Sequence, residues 1–287
     1  MIPSTPAEIR TVLSDRGLAP RKRFGQHFLA DANLRDAVVR EAGVGPGDLV
    51  IEVGPGLGTL TRGLLDAGAE VMAAEVDRGL CEFLTEALGA EERFVLFTGD
   101  ALTRGELRGD LLAAVRERRG SRRLLVVSNL PYAVATPLFA FLALLPDAPD
   151  SVTAMVQREV ALRMTAAPGS RDYGPLSILL NLRGQTRVVR EVGGRVFFPS
   201  APVQSALVRF VPGAADLERL RAADRLARGV FQHRRKALGS ALRAAGHEPE
   251  RVREVLAALG IDGGRRPETL VPADFPALAA RLLPPMP

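Results

Sequence analysis

Three glycines and a run of carboxylates pose the first chemical question in this sequence. Residues 51–61 read Ile51-Glu52-Val53-Gly54-Pro55-Gly56-Leu57-Gly58-Thr59-Leu60-Thr61, an apolar strand joined to a helix start by a tight loop. Glycine lets the backbone turn sharply and leaves no β-carbon in a ligand's way, and the helix that follows offers N–H groups without intrahelical partners. A nucleotide-like ligand fits such a loop. The dinucleotide fingerprint needs a glycine where this chain has Thr59, and Gly58 comes one place early. Glu52 points the same way, because a carboxylate repels a pyrophosphate and attracts the ammonium of an amino-acid-bearing nucleoside such as S-adenosylmethionine. Glu75, 17 residues beyond Gly58, stands where a carboxylate can accept both hydroxyls of a ribose; the plain alternative is a solvated surface acid. Asp100, followed by Ala101, is placed to accept from an adenine amino group, although taken singly Asp before Ala-Leu-Thr is a common helix start.

A second stretch, Ser128-Asn129-Leu130-Pro131-Tyr132, carries a different chemistry. Asn129 offers an amide oxygen, and Pro131 holds a turn that can bring the Leu130 and Pro131 carbonyls to the same pocket. Two acceptors aimed at one exocyclic amine bind its hydrogens and free its lone pair from the ring. The amine becomes a nucleophile. Tyr132 adds a face for a base to stack on, worth about 1–3 kcal/mol. A proline-stabilised turn with a packing tyrosine is the bland reading of such a tetrapeptide. It weakens because the glycine loop, Glu75 and Asp100 hold matching places on three other strands.

Those strands follow from the periodicity. Apolar runs at 49–53, 70–76, 93–97, 124–128 and 151–156 alternate with helical patterns at 60–67, 78–88, up to 118, and 133–145, and a short helix at 7–16 and another at 31–42 precede them. Such alternation predicts an α/β fold, a Rossmann-like sheet with helices on both faces, whose ligands bind beyond the carboxyl ends of the strands. After helices at 159–165 and 176–182, residues 185–192 and 203–211 read as late, antiparallel strands. From residue 215 the pattern is purely helical, a small bundle of three or four helices broken at Gly246 and 260–264. The expected division is a catalytic domain over 1–211, with an N-terminal extension over 1–30, and a small all-helical domain over 212–287.

Composition narrows the setting. The 287 residues are 47% hydrophobic and 25% charged, with no run near the roughly 18 apolar residues of a membrane span, so a cytoplasmic protein without membrane association is expected. One cysteine, Cys81, excludes a disulfide framework and a cysteine zinc cluster within one chain. The net charge of +5 comes almost wholly from residues 212–287, which hold 13 basic and 9 acidic side chains. That balance suggests a polyanionic partner. Arg225 and Arg228, followed by Arg234, Arg235 and Lys236, are spaced to form a phosphate-facing stripe, with a solvated helix face as the alternative. A basic cluster, Arg21-Lys22-Arg23, follows the first helix, and the run 116–123 reads as a charged loop between helix and strand.

Taken in order, these motifs resemble the ribosomal RNA adenine N6-dimethyltransferases, and among them the enzymes that act on the small subunit. Phe24-Gly25-Gln26-His27-Phe28-Leu29 is similar to the family's N-terminal motif, residues 52–61 to its donor loop, Glu75 and Asp100 to its ribose and adenine contacts, and Asn129 to Tyr132 to its catalytic tetrapeptide. Residues 157–161, 168–170, 173–177 and 231–236 are similar to further segments in the same order. The family's Phe-x-Pro-x-Pro-x-Val-x-Ser loop reads here Phe197-Phe198-Pro199-Ser200-Ala201-Pro202-Val203-Gln204-Ser205, with the second proline displaced by one place. The resemblance implies S-adenosylmethionine as methyl donor, no metal, and a pocket contacted by Gln26, His27, Leu29, Glu52, Gly54, Gly56, Gly58, Glu75, Asp100, Ala101 and Asn129. It further implies a target adenine held between Tyr132 and Phe197, transfer to N6 of two adjacent adenines in small-subunit ribosomal RNA within an immature small ribosomal subunit, and a monomer. Three readings stay open beside it: a large-subunit adenine methyltransferase, a ribosome-assembly factor that acts mainly by binding, and a DNA adenine methyltransferase.

Overall fold

The computed structural model describes residues 1–21 and 24–284. Lys22 and Arg23 of the basic cluster, and residues 285–287 of the expected helical domain, lie outside the described residues. The chain begins with α1 (Pro6–Asp15), whose N-cap Thr5 and Glu8 close a reciprocal capping box. Then come β1 (Phe28–Leu29), α2 (Ala32–Ala42), β2 (Leu49–Val53), α3 (Thr59–Asp66), β3 (Glu70–Glu75), α4 (Arg78–Leu88) and β4 (Phe94–Thr98). A small hairpin, β5 (Leu102–Thr103) and β6 (Glu106–Leu107), leads to α5 (Gly109–Arg119), β7 (Leu124–Asn129), α6 (Ala135–Leu144), β8 (Ser151–Gln157) and α7 (Arg158–Met164). The remainder is α8 (Pro175–Arg183), β9 (Gly184–Val192), β10 (Phe197–Phe198), β11 (Ser205–Pro212), α9 (Leu217–Phe231), α10 (Leu238–Ala244), α11 (Pro249–Leu259) and α12 (Asp274–Leu282).

Seven strands form one sheet in the order β4-β3-β2-β7-β8-β11-β9. β2 pairs in parallel with β3 and with β7, β3 with β4, and β7 with β8, while β11 runs antiparallel to β8. Parallel strands need long crossovers, and the crossover helices bury the sheet; β2 is buried at every residue and β7 at all but Asn129. The chain lays β3 and β4 on one side of β2 and then returns to place β7 and β8 on the other. That reversal opens a crevice beyond the carboxyl ends of β2 and β7.

The described contacts divide the chain into two compact units. The first comprises Met1–Phe141, Pro149–Ala161 and Arg187–Val211. Its core includes Ile9, Leu13, Val50, Leu64, Val71, Leu84 and Leu125. The start of the chain packs into this unit: Ile9 is fully buried, and the Thr59 hydroxyl donates to the Pro3 carbonyl at 2.8 Å. The second unit comprises Leu142–Ala148, Leu162–Thr186 and Pro212–Pro287. It is wider than the tail alone, because Tyr173 and Ile178 join the core made by Leu226, Val230, Phe275 and Leu278, and α8 packs on α9. Another departure from the sequence reading lies after β4. The helical run expected up to residue 118 starts only at Gly109, because Asp100 Oδ1 accepts from the Leu102 amide at 3.0 Å and Arg104 and Gly105, with φ of 55° and 87°, turn the chain into the β5–β6 hairpin. Asp100 caps that turn, not a helix. Among the described residues no helix is long and apolar enough to cross a membrane.

Candidate active site

The glycine loop between β2 and α3 is shaped by its backbone. Gly54 and Gly56 have φ of 71° and 62°, and a β-carbon would fall 3.2 Å from Pro131 Cδ at the first and 3.0 Å from Phe28 Cδ1 at the second. Both conformation and space call for glycine there. Glu75 fastens this loop to the end of β3: its Oε2 accepts from the Gly56 amide at 3.1 Å and its Oε1 from the Asp77 amide at 2.9 Å. Glu52 sits in β2 at 1% exposure, and its Oε2 accepts from the Thr61 hydroxyl at 2.7 Å. Burial raises the Glu52 carboxyl to about 8, against the pull of Thr61 and with a further push from the charge of Glu75. Burial also raises Glu75, with a further push from the charge of Asp77, outweighing the backbone amides of Asp77, Gly56 and Val76 that favour its ionised form. No arginine or lysine pairs with either acid among the described residues.

The turn after β7 stands across the crevice. Ser128, fully buried, accepts from the Val53 amide at 2.9 Å and so ties the ends of β2 and β7 together. Asn129 Nδ2 donates to the His27 carbonyl at 3.0 Å, which leaves Oδ1 as the acceptor turned to other use. The two carbonyls expected beside it differ. The Pro131 carbonyl accepts from the Val134 amide at 3.0 Å and closes the turn, whereas the Leu130 carbonyl accepts from nothing among the described residues. The acceptor pair for an amine is therefore Asn129 Oδ1 with the Leu130 carbonyl, and Pro131 serves by shaping the turn. Burial pushes the Tyr132 hydroxyl above its ordinary range, with the Ser205 hydroxyl pulling it back in part.

Residues 24–29 form a strap over this corner. Phe28 and Leu29 pair antiparallel with Phe198 and Phe197, joining β1 to β10. His27 Nδ1 lies 2.9 Å from the Pro199 carbonyl, and its ring stands 5.6 Å from that of Tyr132. Gln26 donates to Asp77 Oδ2 at 3.0 Å and accepts from the Arg21 amide at 2.8 Å. The displaced proline leaves a loop with a cis Phe198–Pro199 peptide, from which Phe197 and Ser205 both reach the crevice.

One open cavity of about 970 Å³, solvent at its mouth included, collects these groups. Gln26, His27, Leu29, Glu52, Gly54, Gly56, Glu75, Asp100, Ala101, Asn129, Leu130, Pro131, Tyr132 and Phe197 all line it. Gly58 does not: its added β-carbon would meet Leu84 at 3.0 Å and Ile2 at 3.1 Å, so its φ of 79° serves packing behind the loop. Phe28, Leu57, Leu80, Met155 and Ser205 line the cavity without having been singled out. Phe28, Leu80, Met155 and Ser205 lie inside strands and a helix, where nothing in a sequence separates cavity wall from core, and Leu57 lies in the glycine loop itself. Thr61 and Asp77 went unremarked for a similar reason, since a threonine in a helix and an aspartate at its N-cap are common.

The expected basic stripe lies in the second unit. Arg225 is exposed; Arg228 bonds the largely buried Asp224 at 2.7 Å; Arg234 covers the Phe231 ring at 5.9 Å and donates to the Arg171 carbonyl; Arg235 and Lys236 are exposed. Within residues 116–123, Arg118 and Arg122 both pair with Glu70 and Arg123 pairs with Asp48. Among the described residues no cluster of His, Cys, Asp or Glu is arranged to hold a metal ion.

Comparisons with known proteins identify the family. The family described as ribosomal RNA adenine dimethylase matches residues 17–279. The chain is similar to the ribosomal RNA small subunit methyltransferase A of Phenylobacterium zucineum, 43% identical over 94% of this chain and 91% of that protein. The protein of the same name from Moorella thermoacetica is 38% identical over 97% and 98%. Among solved structures, a dimethyladenosine transferase from Plasmodium falciparum shares the fold with a TM-score of 0.72 at 22% identity, covering 88% of this chain and 96% of that one. The 23S rRNA methyltransferase ErmE does so with 0.63 at 24% identity, covering 89% and 99%.

Proposed function

The chain belongs to the ribosomal RNA adenine dimethylase family, and from that membership we propose that it transfers methyl groups from S-adenosylmethionine to the N6 amines of two adjacent adenines in small-subunit ribosomal RNA. The observation that carries this reading is Asn129, whose amide nitrogen is held by the His27 carbonyl and whose oxygen stands with the unused Leu130 carbonyl in the same cavity as Glu52 and Glu75.

The cavity suits the donor. Gly54 and Gly56 leave little room for a β-carbon, and its two buried acids pair with no cation among the described residues, as a ligand with an ammonium and a ribose would require. Glu52 would take the ammonium, Glu75 the ribose hydroxyls, and Asp100 with Ala101 the adenine. When bound, the donor supplies a methyl group on a positively charged sulfur, a good leaving group. The protein's share is positioning and release of a lone pair. Asn129 Oδ1 and the Leu130 carbonyl hold the two hydrogens of the target N6 amine and draw its lone pair out of conjugation. Tyr132 and Phe197 clasp an adenine swung out of its stack. No strong base is needed before transfer, since the proton leaves from an amine that has already become cationic. Arg225, Arg228, Arg234, Arg235 and Lys236 face the phosphates of the RNA in a cytoplasmic, immature small subunit, with the chain acting as a monomer.

Asn129→Ala is the test. Methyl transfer to small subunits should fall about 10²–10³-fold while affinity for S-adenosylhomocysteine stays near that of the parent. Equal loss of both would make Asn129 a structural residue.

A further inference from the structure

Glu52 is held in an unusual way for a buried acid. Its only hydrogen-bond partner among the described residues is Thr61, itself fully buried, and the bond goes to Oε2. Oε1 has no donor, in a side chain that lines the cavity. The groups around it are Thr61 from α3, Glu75 from β3 and, lining the same cavity, Asp100, His27 and Tyr132; β7 contributes none that ionises. No arginine or lysine is paired with it among the described residues, and its nearest charged neighbour, Glu75, is of like sign.

We propose that Thr61 is a positioning residue that turns one Glu52 oxygen to the cavity, and that the empty pocket stores a proton on Glu52 which it surrenders when an α-ammonium arrives. The inference rests on the donor reading above and extends it to how the donor is gripped. A carboxyl without a cation in a dry wall is more stable as the acid. An ammonium beside it favours the carboxylate, so the O–H bond of Glu52 breaks, the proton passes to solvent, and the ammonium keeps its own three hydrogens. Thr61 contributes by donating to Oε2, which holds the carboxylate in place and leaves Oε1 for the ligand. The burial that raises Glu52 to about 8 sets the window: binding below that pH carries proton release, and binding above it does not.

The experiment is calorimetric titration of the full chain with S-adenosylhomocysteine in buffers of different ionisation enthalpy. At pH 7 the expected release is about half a proton or more per site, with affinity rising as pH rises toward the Glu52 value and levelling above it. 5′-Methylthioadenosine, which lacks the ammonium, should bind without release. Glu52→Gln should abolish the release, and Thr61→Val should weaken binding and move the rise in affinity to higher pH, while Thr61→Ser restores both. Binding of S-adenosylhomocysteine with no release, or equal release with 5′-methylthioadenosine, overturns the proton store and leaves the donor reading standing. A Thr61→Val protein with parental affinity and pH profile removes Thr61 from the grip. Failure of the folded parent chain to bind S-adenosylhomocysteine overturns the donor reading itself.

Discussion

The two ends of β2 and β3 treat the same chemical group in opposite ways. At their starts, Asp48 precedes β2 and Glu70 opens β3, and each is tied to arginine: Asp48 to Arg123 at 2.6 Å, Glu70 to Arg118 and Arg122 at 2.7 Å each. At their ends, Glu52 and Glu75 are also buried and, among the described residues, bond to a hydroxyl and backbone amides without an arginine. Burial alone would raise Glu70, but Arg122 and Arg118 outweigh it and bring the carboxyl below its ordinary value, whereas Glu52 is raised to about 8. A paired acid closes its own electrostatics and stabilises the fold. An unpaired one leaves a charge requirement that a ligand can fill, which is why one end of this sheet reads as scaffold and the other as site.

Substitutions should separate the two ends. The largest effect belongs to the site end, where Asn129→Ala removes the amine acceptor and costs about 10²–10³-fold in methyl transfer with little change in melting temperature. Glu75→Gln should lower S-adenosylhomocysteine affinity by at least about tenfold in calorimetry, because it converts an acceptor of two hydroxyls into a mixed donor and acceptor. At the scaffold end Glu70→Gln should leave that affinity unchanged and cost about 1 kcal/mol in thermal unfolding, a modest figure because its arginines are partly exposed. Loss of donor affinity in Glu70→Gln would break the division.

Stability should respond to pH with opposite signs at the two ends. Glu52, raised in the folded state, contributes stability that is complete below its ordinary value of 4.5 and is lost as pH rises through about 8. Glu70, lowered, contributes stability present above 4.5 and lost as pH falls through its folded value. Glu52→Gln should therefore flatten the decline of melting temperature between pH 5 and pH 8, and Glu70→Gln should leave that interval alone. The smallest effect concerns the second unit: replacing Arg234, Arg235 and Lys236 together with alanine should reduce the salt dependence of binding to small-subunit RNA by about one to three phosphate contacts, measured as the slope of affinity against salt.

Much of this contrast was legible in the sequence. Strand β2 and helix α4 occupy the residues that periodicity assigns them, and Glu52, Glu75 and Asn129 stand at strand ends where a parallel sheet gathers its ligand groups. The hairpin after Asp100 was not, since a two-residue strand has no period and the turn rests on Arg104 adopting a left-handed conformation that few residues other than glycine favour. Nor was the β1–β10 ladder, which joins Phe28 to Phe198 across most of the first unit and holds the His27 carbonyl against Asn129. Long-range pairings leave no local mark. The tetrapeptide likewise does not reveal that the Pro131 carbonyl is consumed by Val134, or that Gly58 faces Leu84 and Ile2 rather than a ligand.

The site end of this sheet should dimethylate adenine in small-subunit RNA. Incubating the chain with labelled S-adenosylmethionine and small ribosomal subunits lacking adenine dimethylation, then digesting the RNA and identifying the modified nucleosides, tests it most directly. The expected product is N6,N6-dimethyladenosine at two neighbouring adenines. Label confined to large-subunit RNA or DNA, or tight binding of small subunits with no label transferred, would contradict it.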